Sequence, residues 1–374
     1  MSSVQKVLIV GGGIAGITLG LGLKKQGIDA EIVEVNSEWA IPGLGIALLG
    51  PTLRALKTVG LIDSCVRTGF GYSAIKNFNA AGALMGVVEL PPLCGPAYPA
   101  SVGMLRVALH KILLQAAEAA QLSIRLGRTV RAIRQMSEFA EVEFNTGTTD
   151  RFDLVVGADG AYSKIRALLF DPDAVPRATG QTIWRATVER PKDVDSLWQF
   201  FGPRHKAGFN PVSESQMYVF LVQNAPTRRA PSDNLAKLMR DELADFDGPM
   251  AAARDSIVSD DQVICRPAEA LIVRPPWHQD RVTLIGDAAH TTPPHLASGA
   301  GIAIEDSIVL SELLGSSIRL SDALMQFDKR RYERCRMVVE NSVRLGEWEK
   351  DPKSPRADYV KLMDESMRAL AQPI

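Results

Sequence analysis

Residues 6–34 constrain the fold more than any other stretch, because they have the order strand, glycine-rich turn, helix and second strand. Val7 to Val10 form a continuous β-branched and leucine run, which is typical of a parallel strand buried on both faces. Helical spacing follows over Ile14 to Lys25, Gly27 ends the helix, and Ala30 to Glu34 form the next strand. This order predicts a right-handed βαβ unit and therefore a parallel sheet.

Three glycines in this turn, Gly11, Gly13 and Gly16, have the spacing G-x-G-x-x-G. The first permits a tight turn, the second lets a pyrophosphate approach the backbone, and the third lets the helix pack on the strand. The helix N-terminus supplies free N–H groups and a positive dipole for phosphates. Glu34, 18 residues after Gly16, can accept hydrogen bonds from the ribose hydroxyls of an adenosine. The pattern predicts a dinucleotide site but does not separate FAD from NAD.

Length and composition narrow the class of protein. The chain has 374 residues, more than one hydrophobic core usually spans, so two domains are expected. A net charge of −1 gives no overall field that favours nucleic acid or an anionic membrane. The four cysteines are widely spaced without a C-x-x-C pair, which argues against a zinc site or a disulfide framework and indicates a reducing compartment. Without a secretory signature or an apolar run of about 18 residues, a cytoplasmic protein is expected.

Local patterns predict the remaining elements, with no internal repeat. The predicted helices are two short ones within 52–68, an amphipathic one over 104–121, a polar stretch over 232–256, two over 302–315 and 320–347, and a peripheral tail after residue 352. The predicted strands are a hairpin over 74–90 turning near residues 80–82, strands over 123–135 and 139–145, antiparallel aromatic segments beyond residue 176, and parallel strands over 264–287.

Two further segments have residues that a core element does not need. VVGADGAYSKIR (155–166) places an aspartate and a glycine directly after an apolar strand. LIGDAAHTTPPHLASGAG (284–301) leads from an apolar strand, through a turn with two histidines and two prolines, into a helix. Together with the first glycine motif, these segments resemble the FAD-dependent aromatic hydroxylases, which are single-component flavoprotein monooxygenases. The resemblance covers about residues 4–345.

The resemblance implies an α/β fold, in which a Rossmann-like FAD-binding domain has an inserted antiparallel-sheet substrate domain and C-terminal helices. The FAD-binding domain would be discontinuous, over 1–73, 98–176 and 265–347. The substrate domain would cover 74–97 and 177–264, and residues 348–374 would form a helical tail.

The resemblance also implies which residues hold FAD, each at the position of a family motif. They are Gly11, Gly13, Ala15 and Gly16 for the pyrophosphate; Glu34 for the adenosine ribose; Arg106 for the phosphates; Val130 for the adenine, through its backbone; Asp159 and Gly160 for the pyrophosphate and the pyridine nucleotide; Gly286 and Asp287 for the ribityl chain; and Gly45, Ile46, Pro294, Gly299, Ala300 and Gly301 for the isoalloxazine ring. Gly45 and Ile46 belong to a loop, 41–56, that would pass along the ring.

The chemistry of the second segment agrees with these roles. An aspartate that ends an apolar strand is costly to bury unless it accepts hydrogen bonds, which ribityl hydroxyls would donate. The helix expected from about Gly301 would direct its positive N-terminus at the flavin pyrimidine edge and stabilise the anionic reduced flavin. Many relatives have G-Q-G where this chain has Ser298-Gly299-Ala300, so the family's flavin movement is not carried over to this chain.

Candidate substrate residues have open alternatives. His295 follows Pro294, where some relatives that act on small hydroxylated heteroaromatic acids use a histidine to hold or deprotonate substrate. The alternative is a histidine that caps the turn through backbone hydrogen bonds. Tyr218, on the expected substrate sheet, either orients the substrate or only packs there. Ala47 stands where some relatives have a histidine, which makes the cavity more apolar.

Three other polar residues, Arg185, His290 and His110, also have structural interpretations. Arg185 either meets an anionic substrate or NAD(P)H, or ties the two domains together. His290 is expected to be structural and to point into the domain, whereas His110 is expected to fill the core or face solvent.

The function implied by the resemblance is hydroxylation of a small activated phenolic or heteroaromatic ring. NADH or NADPH would dock transiently and reduce FAD, and O₂ would add to give a flavin C4a-hydroperoxide that transfers oxygen. The expected partners are the aromatic substrate, O₂ and NAD(P)H, with no nucleic acid, membrane or metal, in a monomer or homodimer. The alternatives are an FAD-dependent epoxidase, oxidase or reductase acting on a non-aromatic substrate, and a non-catalytic flavin-binding sensor.

Overall fold

A computed structural model of the chain describes residues 4–39, 45–224, 233–351 and 356–374, except for the side chains of residues 356 and 357. Residues 41–44, the start of the loop predicted to pass along the ring, lie outside this description. The described strands are β1 Lys6–Val10, β2 Asp29–Glu34, β3 Gly45–Leu49, β4 Phe70–Tyr72, β5 Ala74–Asn79, β6 Leu84–Glu89, β7 Ser101–Leu105, β8 Ser123–Leu126, β9 Val130–Gln135, β10 Ala140–Phe144, β11 Thr149–Phe152, β12 Leu154–Gly157, β13 Arg177–Glu189, β14 Leu197–Phe201, β15 Lys206–Pro211, β16 Gln216–Gln223, β17 Val263–Ile272, β18 His278–Gln279, β19 Val282–Leu284 and β20 His290–Thr291.

The described α-helices follow the same chain order. They are α1 Ile14–Lys25, α2 Gly50–Thr58, α3 Ile62–Thr68, α4 Arg106–Ala119, α5 Lys164–Leu169, α6 Leu235–Glu242, α7 Pro249–Asp255, α8 Gly299–Gly315, α9 Leu320–Lys350 and α10 Arg356–Ala371. None of the helices in the described ranges is both long and apolar enough to cross a membrane.

A six-stranded sheet in the order β18-β19-β12-β1-β2-β8 forms the first layer, and all its neighbours are parallel except β18 and β19. The apolar residues of β1 are buried on both faces, as the sequence predicted. The carboxyl ends of β1, β2, β12 and β19 lie at one edge, because the strands run in the same direction. The turns that follow these strands therefore meet there, at the edge where open α/β sheets bind ligands.

An eight-stranded sheet in the order β20-β17-β13-β16-β15-β14-β5-β6 forms the second unit and is antiparallel except between β14 and β5. Side chains alternate across it. Trp184, Phe200 and Phe209 face a core that includes residues of α6 and α7. Tyr218 and Phe220 lie on the opposite face, which borders a cavity. This alternation explains why the aromatic segments gave an antiparallel pattern. The mixed α/β fold with a Rossmann-like first sheet is the one that the resemblance implied.

Two predicted strand assignments are wrong. The strand predicted over 123–135 is divided by Gly127, whose φ of +69° turns the chain, so β8 joins the parallel sheet and β9 pairs with β10. The parallel prediction from residue 264 is correct for β19 but not for β17, which pairs antiparallel with β13. The sequence of one strand does not encode the direction of its neighbour. The predicted division into two domains stays a prediction.

The C-terminal tail is helical, as predicted, but it is not peripheral. Leu370 of α10 is 1% exposed, and Arg334 of α9 donates to its carbonyl oxygen at 2.7 Å. Arg54 of α2 donates to the carbonyl oxygen of Ala371 at 2.7 Å. Guanidinium groups near a helix C-terminus satisfy the last carbonyls and interact favourably with the helix dipole. The tail is therefore fastened to the body of the protein.

A buried charge cluster fixes the turn after β19 against α8 and α9. The carboxylate of Asp306 accepts the Gly286 N–H at 2.9 Å, contacts His290 Nε2 at 2.6 Å and accepts from Arg331 Nε at 2.8 Å. Arg331 also donates to Glu305 at 2.9 Å. These groups are 1% exposed or less apart from Gly286, so each charge depends on its partners. The predicted structural role of His290 is confirmed.

The pKa values of Asp306 and His290 define the pH range over which this cluster is fully ionised. His290 and Arg331 lower the pKa of Asp306 from 3.8 to about 2, against the opposing effect of burial. Asp306, with Cys335, raises the pKa of His290 well above its usual value, again against burial. A lowered carboxyl pKa stabilises the fold above the unfolded value and is lost as pH falls through about 2. The His290 contribution is present below its ordinary pKa and is lost as pH rises through its raised pKa.

We expect Asp306→Asn to lower the free energy of unfolding at pH 7 by about 2–3 kcal/mol, because it removes the charge that a pKa lowered from 3.8 to about 2 reports. Denaturant unfolding at several pH values would measure the difference between variant and unaltered protein, which should narrow between about pH 4 and 2, where the unfolded chain binds a proton at Asp306 before the folded protein does. Glu312→Gln is the matched control, because Glu312 lies on the same helix but is half exposed. Equal losses in the two variants would contradict this role for Asp306.

Candidate active site

Two adjoining cavities, of about 410 and 350 Å³, lie along the carboxyl edge of the parallel sheet. The adenosine-side cavity (410 Å³) is bordered by the glycine turn after β1 and by the end of β2. The sheet-side cavity (350 Å³) lies between the turn after β19 and one face of the large sheet. Both are lined by Gly13, Ile14, Arg106, Ala158 and Gly160. This geometry suits one long ligand with its phosphates beside these shared residues.

The glycine turn has the geometry that its sequence predicted, with one refinement. Gly11 has a φ of +114°, and a Cβ there would lie 2.3 Å from the Ala158 carbonyl oxygen. A Cβ on Gly13 would meet nothing within 4 Å, as expected where the backbone faces a cavity. A Cβ on Gly16 would lie 2.0 Å from the Gly11 carbonyl oxygen, closer than any atom of the strand. Gly16 therefore lets the turn close on itself, besides packing on β1.

Glu34 lies where an adenosine ribose would need a carboxylate, and it also supports the turn. Its two oxygens accept the Gly12 N–H at 3.0 Å and the Asn36 N–H at 3.1 Å. His110 contacts the Gly12 carbonyl oxygen at 2.9 Å and packs edge-on against Trp39, with ring centroids 4.9 Å apart. His110 is thus neither solvent-exposed nor simple core filler. Its spacing of four residues from Arg106 on α4 was the available signal, since both residues border the adenosine-side cavity.

The segment after β12 is held by its aspartate and by a buried arginine. Asp159 accepts the Lys164 N–H at 2.7 Å and the Ile165 N–H at 3.1 Å, so it caps α5. Burial raises the pKa of Asp159, although these hydrogen bonds oppose the shift. Arg166, which is 2% exposed, donates to the carbonyl oxygens of Ala161 and Ala288, both at 2.8 Å. Arg166 therefore ties the turn after β12 to the turn after β19, a role that the sequence analysis did not assign.

Asp287 and the start of α8 form one end of the sheet-side cavity. Burial raises the pKa of the Asp287 carboxyl group, with His290 and Arg106 opposing. Within the described residues, no donor hydrogen-bonds to this carboxylate, so its acceptor capacity is left for a ligand in the cavity. The helix α8 begins at Gly299, two residues before the predicted start, and Gly299 and Ala300 border the same cavity. Its positive N-terminus therefore faces the cavity.

The large sheet forms the opposite wall, and glycines let the two units approach each other. Tyr218 borders the cavity and accepts a hydrogen bond from Asn210 Nδ2 at 2.9 Å. A Cβ on Gly45 would lie 1.9 Å from the Tyr218 ring, and one on Gly103 would lie 2.0 Å from the Pro211 carbonyl oxygen. Any side chain at residue 45 would clash with the Tyr218 ring, so glycine is required there. Ala47, two residues along β3, also borders the cavity.

Arg185 contributes a positive charge to this wall. Its guanidinium lies 5.9 Å from the centre of the Tyr218 ring, and its Nε is buried without a hydrogen-bond partner. Burial lowers the pKa of Arg185, and the nearby cation Arg106 lowers it further. No carboxylate of the described residues forms an ion pair with it. A half-buried guanidinium on a cavity wall with no carboxylate partner suits an anionic or strongly accepting ligand.

His295 borders the cavity, but its ring is held by side chains outside the turn. Nε2 contacts Gln181 Oε1 at 2.9 Å, and Nδ1 lies 3.3 Å from Glu349 Oε2 without the alignment of a hydrogen bond. Glu349 also pairs with Lys206, whose side chain borders the cavity. These partners differ from the backbone cap considered in the sequence analysis. A catalytic role for His295 stays a prediction.

The predicted FAD residues divide into two groups in the structure. Those bordering a cavity are Gly11, Gly13, Ala15, Glu34, Gly45, Ile46, Arg106, Asp159, Gly160, Asp287, Pro294, Gly299 and Ala300. Gly16, Val130, Gly286 and Gly301 do not border either cavity. Gly286 has a φ of +60°, which favours glycine, and a Cβ on Gly301 would lie 2.3 Å from Thr52 Oγ1. These two glycines are therefore needed for the local backbone conformation and packing. Thr129 borders the adenosine-side cavity next to the buried Val130.

Comparison with known proteins agrees with this geometry. The model of the FAD binding domain family matches residues 5–342. The chain is 32% identical over 351 residues to 2-heptyl-3-hydroxy-4(1H)-quinolone synthase of Pseudomonas aeruginosa, covering 92% of this chain and 90% of the relative. It is 27% identical to 3-amino-4-hydroxybenzoate 2-monooxygenase PtmB3 of Streptomyces platensis, covering 97% and 92%.

A solved structure with the same fold is Klebsiella pneumoniae HpxO complexed with FAD and uric acid. It superimposes with a TM-score of 0.86 at 21% identity, covering 98% of this chain and 95% of that one. Because the family model spans most of the sequence, FAD is the ligand that the two adjoining cavities bind. The chain therefore belongs to the FAD binding domain family, among the FAD-dependent aromatic hydroxylases, and it is an FAD-dependent monooxygenase.

Proposed function

We propose that this enzyme hydroxylates a small aromatic or heteroaromatic ring that bears an anionic group, using O₂ and NADH or NADPH. The observation that carries the proposal is the half-buried guanidinium of Arg185, which has no carboxylate partner among the described residues and lies on the wall opposite Asp287 and the start of α8. An aromatic ligand would contact apolar side chains on the same wall, and its anionic group would contact Arg185. The aminohydroxybenzoate in the name of one relative supports the anionic group, and the quinolone in the name of the other supports a heteroaromatic ring.

The residues of the channel suit FAD. Gly13 and Arg106 would meet the pyrophosphate, Glu34 the adenosine ribose, and Asp287 a ribityl hydroxyl. When bound and reduced by NAD(P)H, FAD supplies the redox chemistry that activates O₂. The N-terminus of α8, at Gly299 and Ala300, would stabilise negative charge on the ring system. Asp159 and Gly160 would support the pyrophosphate and stay candidates for transient contact with the pyridine nucleotide.

The protein's own contribution is to orient the ring and exclude water. Ile183, Phe220 and Val222 make one side of the cavity apolar. Tyr218 has accepted the Asn210 hydrogen bond, so its own O–H proton is left to donate to a ligand. A phenol in that position would orient a carbonyl or phenolate oxygen. Burial of such polar contacts in a low-dielectric site strengthens them.

The test is consumption of NADH and NADPH by the FAD-loaded protein across a panel of aromatic compounds. The panel comprises 3-amino-4-hydroxybenzoate, hydroxybenzoates, hydroxypyridine carboxylates and hydroxyquinolines, with hydrogen peroxide and product mass measured in parallel. We expect one class to stimulate consumption and to yield a product that is one oxygen atom heavier and still aromatic. No stimulation by any compound, or a product that has gained oxygen but lost its aromatic ring, would contradict the proposal.

We expect Arg185→Gln to raise KM for an anionic aromatic substrate at least about tenfold, because a hydrogen bond to a charged group contributes about 1.5–3 kcal/mol. Arg185→Lys should recover part of this loss, since it keeps the charge but not the planar donor pair. The matched control is Arg177→Gln, on the same strand but exposed to solvent. Steady-state kinetics with an acid and its neutral amide would separate the charge from the shape of the ligand. If Arg185→Gln raised KM equally for both, Arg185 would not recognise the anion.

A further inference from the structure

We propose that Glu349, near the end of α9, is a positioning residue of the active site, and that it keeps the Lys206 ammonium charged and fixed on the wall of the sheet-side cavity. The inference rests on the proposed function, because it assigns Lys206 as a second donor to the anionic or carbonyl group of the substrate. It also places part of the C-terminal segment in the active site.

Glu349 is the centre of a buried polar cluster drawn from four parts of the chain. Its carboxylate contacts the ammonium of Lys206 on β15, and Tyr359 of α10 donates to it at 2.8 Å. Its other oxygen lies 3.3 Å from His295 Nδ1 and 3.4 Å from Gln181 Nε2. The side chains of Glu349 and Lys206 are 10% and 8% exposed. Two charges at this depth are stable only as a pair.

The helix backbone is adapted to this cluster. A Cβ on Gly346, one turn before Glu349, would lie 2.7 Å from His295 Nε2 and 2.6 Å from Gln181 Oε1. Glycine in a helix interior costs about 1 kcal/mol relative to alanine. The missing side chain lets α9 approach the turn that contains His295 closely enough for Glu349 to reach it.

Lys206 differs from an ordinary structural lysine because it also borders the cavity. An ammonium has three N–H donors. Among the described residues, two of them have partners, the Glu349 carboxylate and the Tyr359 hydroxyl. The side chain lies on the cavity-facing side of the large sheet, where Val222 and Ile183 are its neighbours along one row. The third donor is therefore available to a ligand in the sheet-side cavity, which Arg185 also borders.

The electrostatics indicate why the carboxylate is needed. Burial alone would lower the pKa of Lys206, but Glu349 and Tyr359 together hold it above its usual value. Lys206 and His295 in turn lower the pKa of Glu349 against the effect of burial. The titratable groups that face Lys206 are thus Glu349 from α9 and Tyr359 from α10, with His295 linked through Glu349. Without the carboxylate, burial would dominate and Lys206 would lose its proton within the accessible pH range.

The test compares Glu349→Gln with Glu347→Gln, a matched control on the same helix whose side chain is exposed. The probe is 3-amino-4-hydroxybenzoate, with 3-amino-4-hydroxybenzamide as its neutral counterpart. Binding to the FAD-loaded protein is followed by flavin absorbance, without NAD(P)H, between about pH 6 and 9. We expect Glu349→Gln to raise Kd for the acid at least about tenfold. The Kd should rise further with pH as Lys206 deprotonates, whereas the unaltered protein and Glu347→Gln should have a flat profile.

The double variant Lys206→Met, Glu349→Gln separates this role from folding. It contains no unpaired charge, so its thermal unfolding should return toward that of the unaltered protein, while Kd for the acid should stay raised. Recovery of both stability and Kd in the double variant would overturn the proposal, as would a flat pH profile in Glu349→Gln. No flavin response of the unaltered protein to the acid or the amide would instead count against the substrate class of the proposed function, and the inference would fall with it.

Discussion

The site depends on the hydrogen bonds and ion pairs that the ionised carboxylate of Asp306 makes. It joins the Gly286 N–H, His290 and Arg331 at the point where the parallel sheet, α8 and α9 meet. The turn that begins there positions Asp287 and, a few residues later, the start of α8. Because these groups are buried, removal of one charged partner would leave another charge without compensation. The cofactor channel is therefore set by electrostatics in the core as well as by the glycines of its turns.

The cavity itself results from two sheets that meet through very small residues. Gly45 and Gly103 lie on neighbouring strands of the small sheet β3-β7-β4, and each lies in contact with the large sheet. Any side chain at either position would push the large sheet away from the small one and displace the wall that contains Tyr218. The shape of the cavity and the charge on its wall thus come from different residues. The parallel sheet provides the backbone turns along the cofactor channel, whereas the antiparallel sheet lines the sheet-side cavity with side chains, among them Arg185.

The sequence predicted most of what depends on local pattern. The glycine turn, the βαβ unit and the hairpin follow from spacing along the chain, whereas the thirteen cavity-bordering residues among the predicted FAD residues follow from the resemblance to the family. It did not predict contacts between distant residues. Arg166 bonds to Ala288, and Glu349 to Lys206, across 122 and 143 residues. No periodicity encodes such pairs, because they form only after the elements have packed. His295 was placed correctly at the cavity, but its partners lie on β13 and α9 and could not be read from the turn.

The fastening of α10 to the body has a consequence for how such enzymes diverge. Glu349 and Tyr359 lie beyond residue 342, where the match to the family model ends. Substitutions in this segment would alter the partners of Lys206, a cation on the cavity wall, without changing any glycine or aspartate of the cofactor channel. The end of the chain can thus vary in sequence, and with it the surroundings of Lys206, while the residues that border the cofactor channel stay the same.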